Sequence, residues 1–575
     1  MQIKNSSRPG YDTRLLLLIL LLSGCALDKA LPPPAVSDIP LPIQQAKRYP
    51  DLTTGRFLVL ADMESPEQKN LFQLDPGGGS IKRTRKKAAT GRFGLEVELG
   101  QKNPEKRKLL FTRGLPADWT DFRLLIISVW VPRPRDDFRL TLRSGQRLIQ
   151  KFTVPICTLR KGWNTVKVDL GLLKEKVELL AIRAIEIQFV NAAPTDVFVL
   201  DDVMLVDNRR TIYRDPPDVP DAFSVRIEGD RLHVRRGGRF EYRFGPRVSP
   251  EPGGPITGVQ RHCLTAAFCL ADDPDARRNL LGGQEGLGPI PAALETQTAD
   301  LAWWGTRAWS QWRLLEANAV RAVVQLDWSC FDHLPQWLTG QTADLKWRYT
   351  LYRDGSIFYQ LHIPTERGGR RVKQLALRLG LDETFARKTR SVMDQGIVVR
   401  KTTKGPAIVV ALAQTANAAR DVTFDSPTAR LYFRFKVLDY PKASWTGFLG
   451  ILPGGDPAEK TADRWVAQFL RGPKLSVTTG RLIPNTDGDG NRDGFAEGRG
   501  CVVARALNGR FRCQLPQPGP AIAYELEALP SDRTYVQMFG QLIGPTARGR
   551  NGRFLFLLPP RTARAEIAAC SPAPN

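Results

Sequence analysis

Two stretches, FRLLIISVWV at residues 122–131 and WNTVKVDL at residues 163–170, decide the fold class of this chain. Apolar residues in them either run together or alternate with polar ones, as in strands that have one or both faces buried. Short segments of the same kind recur from Phe57 to Asp207, with turn-forming residues between them. We therefore predict an all-β sandwich over residues 56–208 and expect no helix within it.

Four motifs in this range resemble those of a galactose-binding-like jelly-roll carbohydrate-binding module. They are Asp62-Met63-Glu64-Ser65, Ala117-Asp118-Trp119, the stretch from Gly162 to Leu170, and Leu200-Asp201-Asp202-Val203. The resemblance implies a jelly roll that binds carbohydrate, with Trp119 and Trp163 packed in its core. Trp130, at the end of an apolar strand, is also predicted to be a core residue.

The same resemblance implies a structural calcium ion where the first and last strands lie side by side. Asp62, Glu64, Asp201 and Asp202 are its predicted ligands, because Ca²⁺ prefers carboxylate and carbonyl oxygens. The alternative is that these four carboxylates cap strand ends in water.

The first residues have the pattern of an export signal. Lys4, Arg8 and Arg14 precede eight apolar residues, Leu15 to Leu22, a run too short to span a bilayer. The following Leu22-Ser23-Gly24-Cys25 resembles the lipobox of bacterial lipoproteins. That resemblance implies a signal peptide over residues 1–24, lipidation of Cys25 and an extracytoplasmic, membrane-anchored protein. An ordinary signal peptide with a chance cysteine is the alternative.

Two further inferences follow from the export prediction. Residues 25–55 contain Pro32-Pro33-Pro34 and read as an extended tether. Ala26 after the lipidated cysteine is compatible, by the same resemblance, with sorting to the outer membrane of a Gram-negative host.

The chain is strongly basic, with a formal net charge of +24. For an exported protein this favours an acidic polysaccharide or anionic lipid over nucleic acid, which we do not expect as a partner. Arginine used simply on solvated faces is an equally good explanation of the charge.

A large central β-sandwich is predicted over residues 221–480. Seven of the twelve Trp lie between Trp303 and Trp347, and the hairpin KWRYTLY-RDGS-IFYQLHI follows. We predict that its turn at Asp354-Gly355 sets Trp347 opposite His362 and gives one face that is both aromatic and polar. Such a face could hold a saccharide, and a bulky sandwich core is the alternative. The predicted ligand-binding residues are Trp303, Trp304, Trp309, Trp347, Tyr349 and Gln360.

The central strands are also similar, at the level of pattern, to polysaccharide lyases and mutarotase-like proteins. If that similarity extended to activity, His362 or Tyr359 would act as base, Arg348 would neutralise a uronate and Tyr352 would serve as acid. A hydrolase would instead need carboxylates such as Glu316, Asp327 and Asp332 to converge. No GxSxG, HExxH or P-loop motif occurs, so serine hydrolysis, zinc proteolysis and NTP chemistry have no support.

A second calcium motif lies at residues 485–497, NTDGDGNRDGFAE. Oxygen-bearing residues at alternate positions before a Gly resemble the calcium loops of EF-hand, dockerin and thrombospondin type 3 repeats. The implied ligands of a structural Ca²⁺ are Asp487, Asp489, Asn491, Asp493 and Glu497. Gly500 stands where the family has a bidentate acid, and a plain acidic turn is the alternative. We assign residues 481–500 to a linker.

Seven cysteines follow Cys25, an odd number. Cys501 and Cys513 flank a predicted hairpin turn and form the best candidate disulfide, with Cys263 and Cys269 as the second candidate. A small C-terminal β domain is predicted over residues 501–567 and a disordered tail over 568–575.

Together these patterns predict a multidomain all-β protein built from β-sandwiches, held at the membrane by its N-terminal lipid. Its predicted function is to bind polysaccharide, with calcium as a structural ion. The alternative is a polysaccharide-degrading enzyme, a lyase or a glycoside hydrolase, with its active site in the central domain.

Overall fold

A computed structural model describes most of the chain between residues 43 and 570. The described ranges are 43–76, 78–100, 103–145, 149–174, 176–247, 261–281, 287–288, 308–331, 342–362, 374–380, 388–392, 396–400, 405–412, 418–425, 430–437, 444–454, 458–484, 493–517, 520–529, 534–560 and 565–570. The lipobox, Trp303 and Trp304 lie outside them.

The N-terminal part is a two-sheet sandwich, as predicted. Its strands are β1 Arg56–Ala61, β2 Phe72–Asp75, β3 Ser80–Thr84, β4 Gly94–Glu98, β5 Lys108–Phe111, β6 Leu124–Val131, β7 Arg135–Ser144, β8 Gln150–Leu159, β9 Gly162–Asp169, β10 Ile182–Phe189 and β11 Val197–Asp207. One sheet has the order β3-β4-β11-β6-β9, with β1 also pairing β11, and the other has the order β2-β5-β10-β7-β8. Residues such as Ile127, Leu140 and Ile185 pack between the sheets, and Trp119 is fully buried there.

Short helical segments accompany this sandwich. They are α1 Ile43–Arg48, α2 Leu170–Leu173 and 3₁₀ turns at Pro50–Thr54, Pro66–Leu71, Pro104–Lys106 and Leu179–Ala181. Tyr49 and Leu52 pack on Leu124 and Met204 and cover part of the outer face of the six-stranded sheet. The prediction of no helix in this range is therefore wrong, because α2 forms a single helical turn within it. Asp169 caps this turn by accepting a hydrogen bond from Gly171 N.

The central part is a larger sandwich. Its strands are β12 Arg210–Arg214, β13 Phe223–Glu228, β14 Arg231–Arg236, β15 Phe240–Arg247, β16 Arg261–Cys269, β17 Leu287–Gly288, β18 Ala308–Ala317, β19 Arg321–Phe331, β20 Thr342–Tyr352, β21 Ile357–His362, β22 Gln374–Gly380, β23 Lys388–Val392, β24 Gly396–Arg400, β25 Ala407–Leu412, β26 Ala418–Asp425, β27 Arg430–Val437 and β28 Ser444–Leu452. A nine-stranded sheet, β12-β13-β14-β15-β16-β17-β22-β27-β26, faces an eight-stranded sheet, β18-β19-β20-β21-β28-β25-β24-β23. Their shared core includes Tyr242, Trp328 and Trp347.

A 14-residue amphipathic helix, α3 Ala458–Arg471, follows the central strands in a range where we predict only β structure. Its residues Ala462, Val466 and Phe469 pack on Phe358 and Phe448 of the eight-stranded sheet. The helix thus covers part of that sheet's outer face.

The C-terminal part is a third sandwich. Its strands are β29 Ser476–Thr479, β30 Arg481–Leu482, β31 Phe495–Ala496, β32 Cys501–Arg505, β33 Arg510–Leu515, β34 Ile522–Glu527, β35 Tyr535–Met538, β36 Gln541–Ile543, β37 Thr546–Arg548, β38 Phe554–Leu558 and β39 Ala565–Cys570. One sheet runs β29-β33-β39-β35-β36, and the other runs β30-β32-β34-β38-β37 with β31 on β32. This sandwich begins at Ser476, and β30 and β31, which lie in the range 481–500 that we assign from sequence to a linker, belong to it.

The all-β fold class is confirmed, since antiparallel sheets in three sandwiches account for most of the described chain. Within the described ranges, no helix has the length and apolar character needed to cross a bilayer.

Candidate functional site

The outer face of the five-stranded N-terminal sheet carries polar side chains in register. Because Phe138, Leu140 and Leu142 of β7 point into the core, the alternate residues of that strand point outward. The same alternation holds on the neighbouring strands. The outward polar side chains include Gln73, Lys108, Arg139, Thr141, Arg143, Lys151, Thr153, Glu186 and Gln188, and the apolar Leu110 lies among them, opposite Gln73 and Glu186. We call this surface the polar face.

Charged groups organise the centre of the polar face. The Glu186 carboxylate, only 2% exposed, binds Lys108 Nζ at 3.1 Å and also contacts Arg143 Nε. A buried carboxylate needs such partners, because an unpaired buried charge is costly. Arg139 lies beside this cluster, opposite Gln188, and is half-buried.

Hydroxyl groups extend the polar face to the sheet edge. Thr141 and Thr153 pair across β7 and β8, with their Oγ1 atoms 2.9 Å apart. Gln73 is exposed on the opposite edge strand, β2. These donors and acceptors stand on strands, which hold them more rigidly than loops would.

The four predicted calcium ligands of this sandwich do not meet as a metal site. The carboxylate of Asp201 accepts Ala89 N at 2.7 Å, that of Asp202 accepts Thr90 Oγ1 at 2.9 Å, and that of Glu64 accepts Arg92 N at 2.7 Å. Asp62 accepts Glu64 N. Among the described residues, no three His, Cys, Asp or Glu side chains converge so as to hold a metal ion.

Asp201 and Asp202 instead anchor the loop between β3 and β4. Both are fully buried, and Tyr49 OH donates to Asp202. Burial raises the pKa of Asp201 to about 8, and the neighbouring Asp202 carboxylate adds to the shift.

Two tryptophans that we expect in the core lie on the outside of the six-stranded sheet. Trp130 of β6 and Trp163 of β9 are directly opposite each other and are half-buried. Trp130 follows Val129, whose side chain points into the core, so alternation along β6 turns the indole outward. The alternation along β6 could have predicted an outward Trp130 from the sequence. It is hard to recognise, because the residues around Trp130 are almost all apolar.

The central hairpin pairs in a different register from the predicted one. Trp347 lies opposite Leu361 and Tyr349 opposite Tyr359, while His362 faces Lys346. Trp347 and Tyr349 are completely buried between the two central sheets, with their rings stacked at 5.2 Å. The prediction that they bind a saccharide is therefore wrong.

Gln360 is on the other face of the same sheet, half-buried and beside Gly498 of the C-terminal part. The predicted aromatic and polar face is thus divided between the core and the opposite surface.

The lyase candidates are separated in the same way. Tyr359 is buried in the core, whereas Arg348 and His362 point outward on the opposite face. Tyr352 is 1% exposed and donates to Arg499 O at 2.7 Å. These four residues do not form a common cleft, so the predicted base, acid and charge-neutralising roles have no shared site.

Trp309, one of the predicted ligand-binding aromatics that the structure describes, lines a cleft. It is 9% exposed, and the Arg160 guanidinium stacks over its ring at 4.4 Å. The cleft, of about 70 Å³, lies between β8 and β9 of the N-terminal sandwich and β16 and β18 of the central one. That volume holds a few water molecules.

Ionic contacts line this cleft, and Lys167 Nζ of the N-terminal sandwich lies 4.0 Å from the Asp230 carboxylate of the central one, which joins the two. Asp230 accepts from His262 Nε2 at 2.7 Å, and Lys167 Nζ binds Asp51 at 2.7 Å. Burial acts to lower the pKa of Lys167, but Asp51 and Asp230 raise it above its ordinary value. His262 Nδ1 also lies 3.3 Å from Ser310 Oγ, which accepts the His262 backbone N–H. We interpret the cluster as a domain joint.

The predicted disulfides are absent. Cys501 lies on β32 and Cys513 on β33, strands that belong to different sheets, and neither forms a disulfide. Cys263 and Cys269 lie on the same strand, β16, and are not bonded to each other either.

Most of the predicted calcium loop, including Asp487, Asp489 and Asn491, lies outside the described residues. Asp493 accepts Phe495 N at 2.8 Å and Glu497 is 1% exposed. Calcium at this loop stays a prediction.

No family model and no curated protein matches this chain. Solved structures that resemble part of it include carbohydrate-binding modules. A family 11 module from Clostridium thermocellum, in complex with a β-1,3-1,4-mixed-linked tetrasaccharide, is 14% identical with a TM-score of 0.21, covering 27% of this chain and 96% of the module. The CBM22-1 xylan-binding domain from Paenibacillus barcinonensis Xyn10C is 17% identical with a TM-score of 0.21, covering 27% and 96%. An exo-β-agarase is 14% identical with a TM-score of 0.21, covering 28% and 25%.

Proposed function

We propose that this chain is a lipid-anchored protein of the cell envelope that binds polysaccharide on the polar face of its N-terminal sandwich. The observation that carries the proposal is the register of polar side chains across all five strands of one sheet.

A saccharide chain presents many hydroxyl groups, so its binding surface needs donors and acceptors spaced along it. The polar face supplies amides from Gln73 and Gln188, hydroxyls from Thr141 and Thr153, and the guanidinium of Arg139. Five strands spaced about 4.8 Å apart span roughly 20 Å, the length of several sugar rings. The surface therefore suits a polymer better than a single sugar.

The lipid anchor is proposed only on the basis of the sequence from Leu15 to Cys25. Export would place the polar face outside the cytoplasm, where polysaccharides are accessible.

Replacing Cys25 with Ser should move the expressed protein from the detergent-extracted membrane fraction to precursor or soluble material and abolish palmitate labelling. A Cys25→Ser protein that remained labelled would contradict lipidation, and a Ser23→Thr variant provides a control for general effects on export.

Binding is tested with the full chain purified in detergent, titrated with mixed-linkage β-glucan, xylan, agarose and polygalacturonate. The double variant Arg139→Ala/Gln188→Ala removes two neighbouring groups of the polar face. For the polysaccharide that wild type binds, we expect the double variant to raise the Kd at least about tenfold. The reason is that hydrogen bonds to a charged group contribute about 1.5–3 kcal/mol.

The matched control is Arg226→Ala, an exposed arginine on strand β13 of the central sheet. It should bind as wild type does. Equal affinity of the double variant and wild type would reject the polar face as the site. New reducing ends in the same mixtures would assign degradation as well as binding.

A further inference from the structure

The opposite side of the N-terminal sandwich combines cations with aromatic rings. Lys87 Nζ lies 3.3 Å from the centre of the Trp130 ring, Arg85 Cζ lies 5.0 Å from that of Phe93, and Arg48 Cζ lies 5.5 Å from that of Trp163. We call these six residues the basic–aromatic surface. Each ring thus has a positive charge over it.

The fold holds the rings of this surface in place. Trp130 and Trp163 are cross-strand neighbours on β6 and β9, on the outer face of the six-stranded sheet, whereas Phe93, just before β4 of that sheet, packs against the core between the sheets. All three rings are half-buried, so each keeps a surface for contact. Their positions depend on strand pairing and not on a ligand.

The loop that carries the cations, residues 85–93, is also fixed. Its backbone N–H groups at Ala89 and Thr90 donate to the buried Asp201 carboxylate, and those at Arg92 and Phe93 donate to Glu64. A loop held at both its middle and its end presents its side chains with little loss of conformational freedom on binding.

Several cations here form no ion pair with a carboxylate of the described residues, although the Arg48 charge acts on the buried Asp202. Lys82 pairs with Glu96 and Glu98, and Arg83 donates to the Met63 carbonyl at 2.6 Å. By contrast, no ion pair with a described carboxylate is formed by Lys47, Arg48, Arg85, Lys86, Lys87 or Arg92. The nearby carboxylates have other roles, since Glu64 accepts hydrogen bonds from backbone N–H groups and Asp201 and Asp202 are buried.

We propose that the basic–aromatic surface binds an acidic polysaccharide, one that carries carboxylate or sulfate groups on successive sugars. The rings can contact the C–H faces of pyranoses while the adjacent ammonium and guanidinium groups pair with the anions. A lipid headgroup would use the charges only, and the ordered rings favour the saccharide. This second site lies on the sheet opposite the polar face and does not depend on it.

The test uses the full chain in detergent and the double variant Arg85→Gln/Lys87→Gln, which removes two charges and keeps side-chain length. Both proteins are titrated with polygalacturonate, chondroitin sulfate and dextran at two salt concentrations. We expect the variant to bind at least one of the acidic polymers at least tenfold more weakly than wild type does. Its remaining affinity for that polymer should depend less on salt concentration, and the substitutions should not change the affinity for dextran.

Lys176→Gln is the matched control, because Lys176 also lies over a ring, that of Phe152, but away from this surface. It should leave affinity unchanged. Thermal unfolding of each variant establishes that it is folded, and Trp163→Ala supplies a second variant that changes a ring and no charge. We expect it to weaken acidic-polymer binding as well.

Three results would overturn the proposal. The double variant could bind both acidic polymers with wild-type affinity, or Trp163→Ala could leave their binding unchanged. Third, wild type could bind phosphatidylglycerol vesicles or oligothymidylate as tightly as the acidic polymers, with the double variant losing the same affinity for them. The last result would assign the surface to anions in general. A failure of the polar face is distinguishable, because Arg139→Ala/Gln188→Ala leaves this surface intact.

Discussion

Gly447 shows how a single residue permits the central core to pack. It lies opposite Tyr359 on strand β28, and a Cβ atom there would come within 2.1 Å of Tyr359 Cζ. Tyr359 itself is completely buried. Only a residue without a side chain leaves room for this ring at its present position.

We therefore expect Gly447→Ala to lower the free energy of unfolding by about 1–3 kcal/mol, the usual effect of overpacking a core. Urea denaturation followed by tryptophan fluorescence measures it. Gly237→Ala is the control, because its Cβ would meet neighbours at ordinary distances of 3.4 Å or more, and it should change stability by less than about 0.5 kcal/mol. Should Gly447→Ala match this control, the buried position of the Tyr359 ring would be in doubt.

A partial rescue sharpens that test. In the background Tyr359→Leu, which removes the ring end that the new methyl group would meet, Gly447→Ala should cost less than it does alone. Additive effects in this double-mutant cycle would show that the two residues do not meet.

At the scale of elements, strands were predictable and their register was not. The alternation in residues 57–207 is strong enough to place the strands of the N-terminal sandwich, because one face of each is buried. In the central hairpin the turn is longer than the sequence suggests: the Asp354 carboxylate accepts both Ser356 N and Ser356 Oγ, and Gly355 has φ +97°. The pairing therefore shifts by one residue, and every side chain of β21 changes face.

The alternation of β21 itself held the missing signal. Ile357, Tyr359 and Leu361 are the apolar set of that strand and belong opposite the apolar set of β20. Pairing by hydrophobic face would have placed Gln360 and His362 outside. The polar face of the first sandwich could not be predicted for another reason, since its residues carry no motif and become a candidate site only when five separate strands align.

At the scale of the whole molecule, a buried charge cluster joins the central and C-terminal sandwiches. Glu525 of β34 is completely buried and binds Arg321 of β19 at 2.6 Å, Arg499 at 2.7 Å and Arg553 at 3.1 Å. Burial acts to raise the pKa of Glu525, but Arg499 and Arg321 lower it below its ordinary value, so the carboxylate is ionised at neutral pH. Apolar residues of both parts, such as Phe358 and Val503, pack around the same interface.

Removing the Glu525 charge takes a buried carboxylate away from three arginines, although Arg321 keeps Glu316 and Arg553 keeps Glu527 as a partner. We expect Glu525→Gln to cost roughly 3–5 kcal/mol and to let the C-terminal sandwich detach at lower temperature, because breaking a buried ion pair is far more costly than never forming it. Calorimetry of the whole chain should then show a transition separating from the main one, with earlier proteolytic cleavage near residue 476. Arg505→Gln breaks a half-exposed pair with Glu527 in the same sandwich and should cost no more than about 1 kcal/mol. If both variants unfold in one transition at the same temperature, the cluster does not hold the sandwiches together, and the apolar contacts alone must account for the joint.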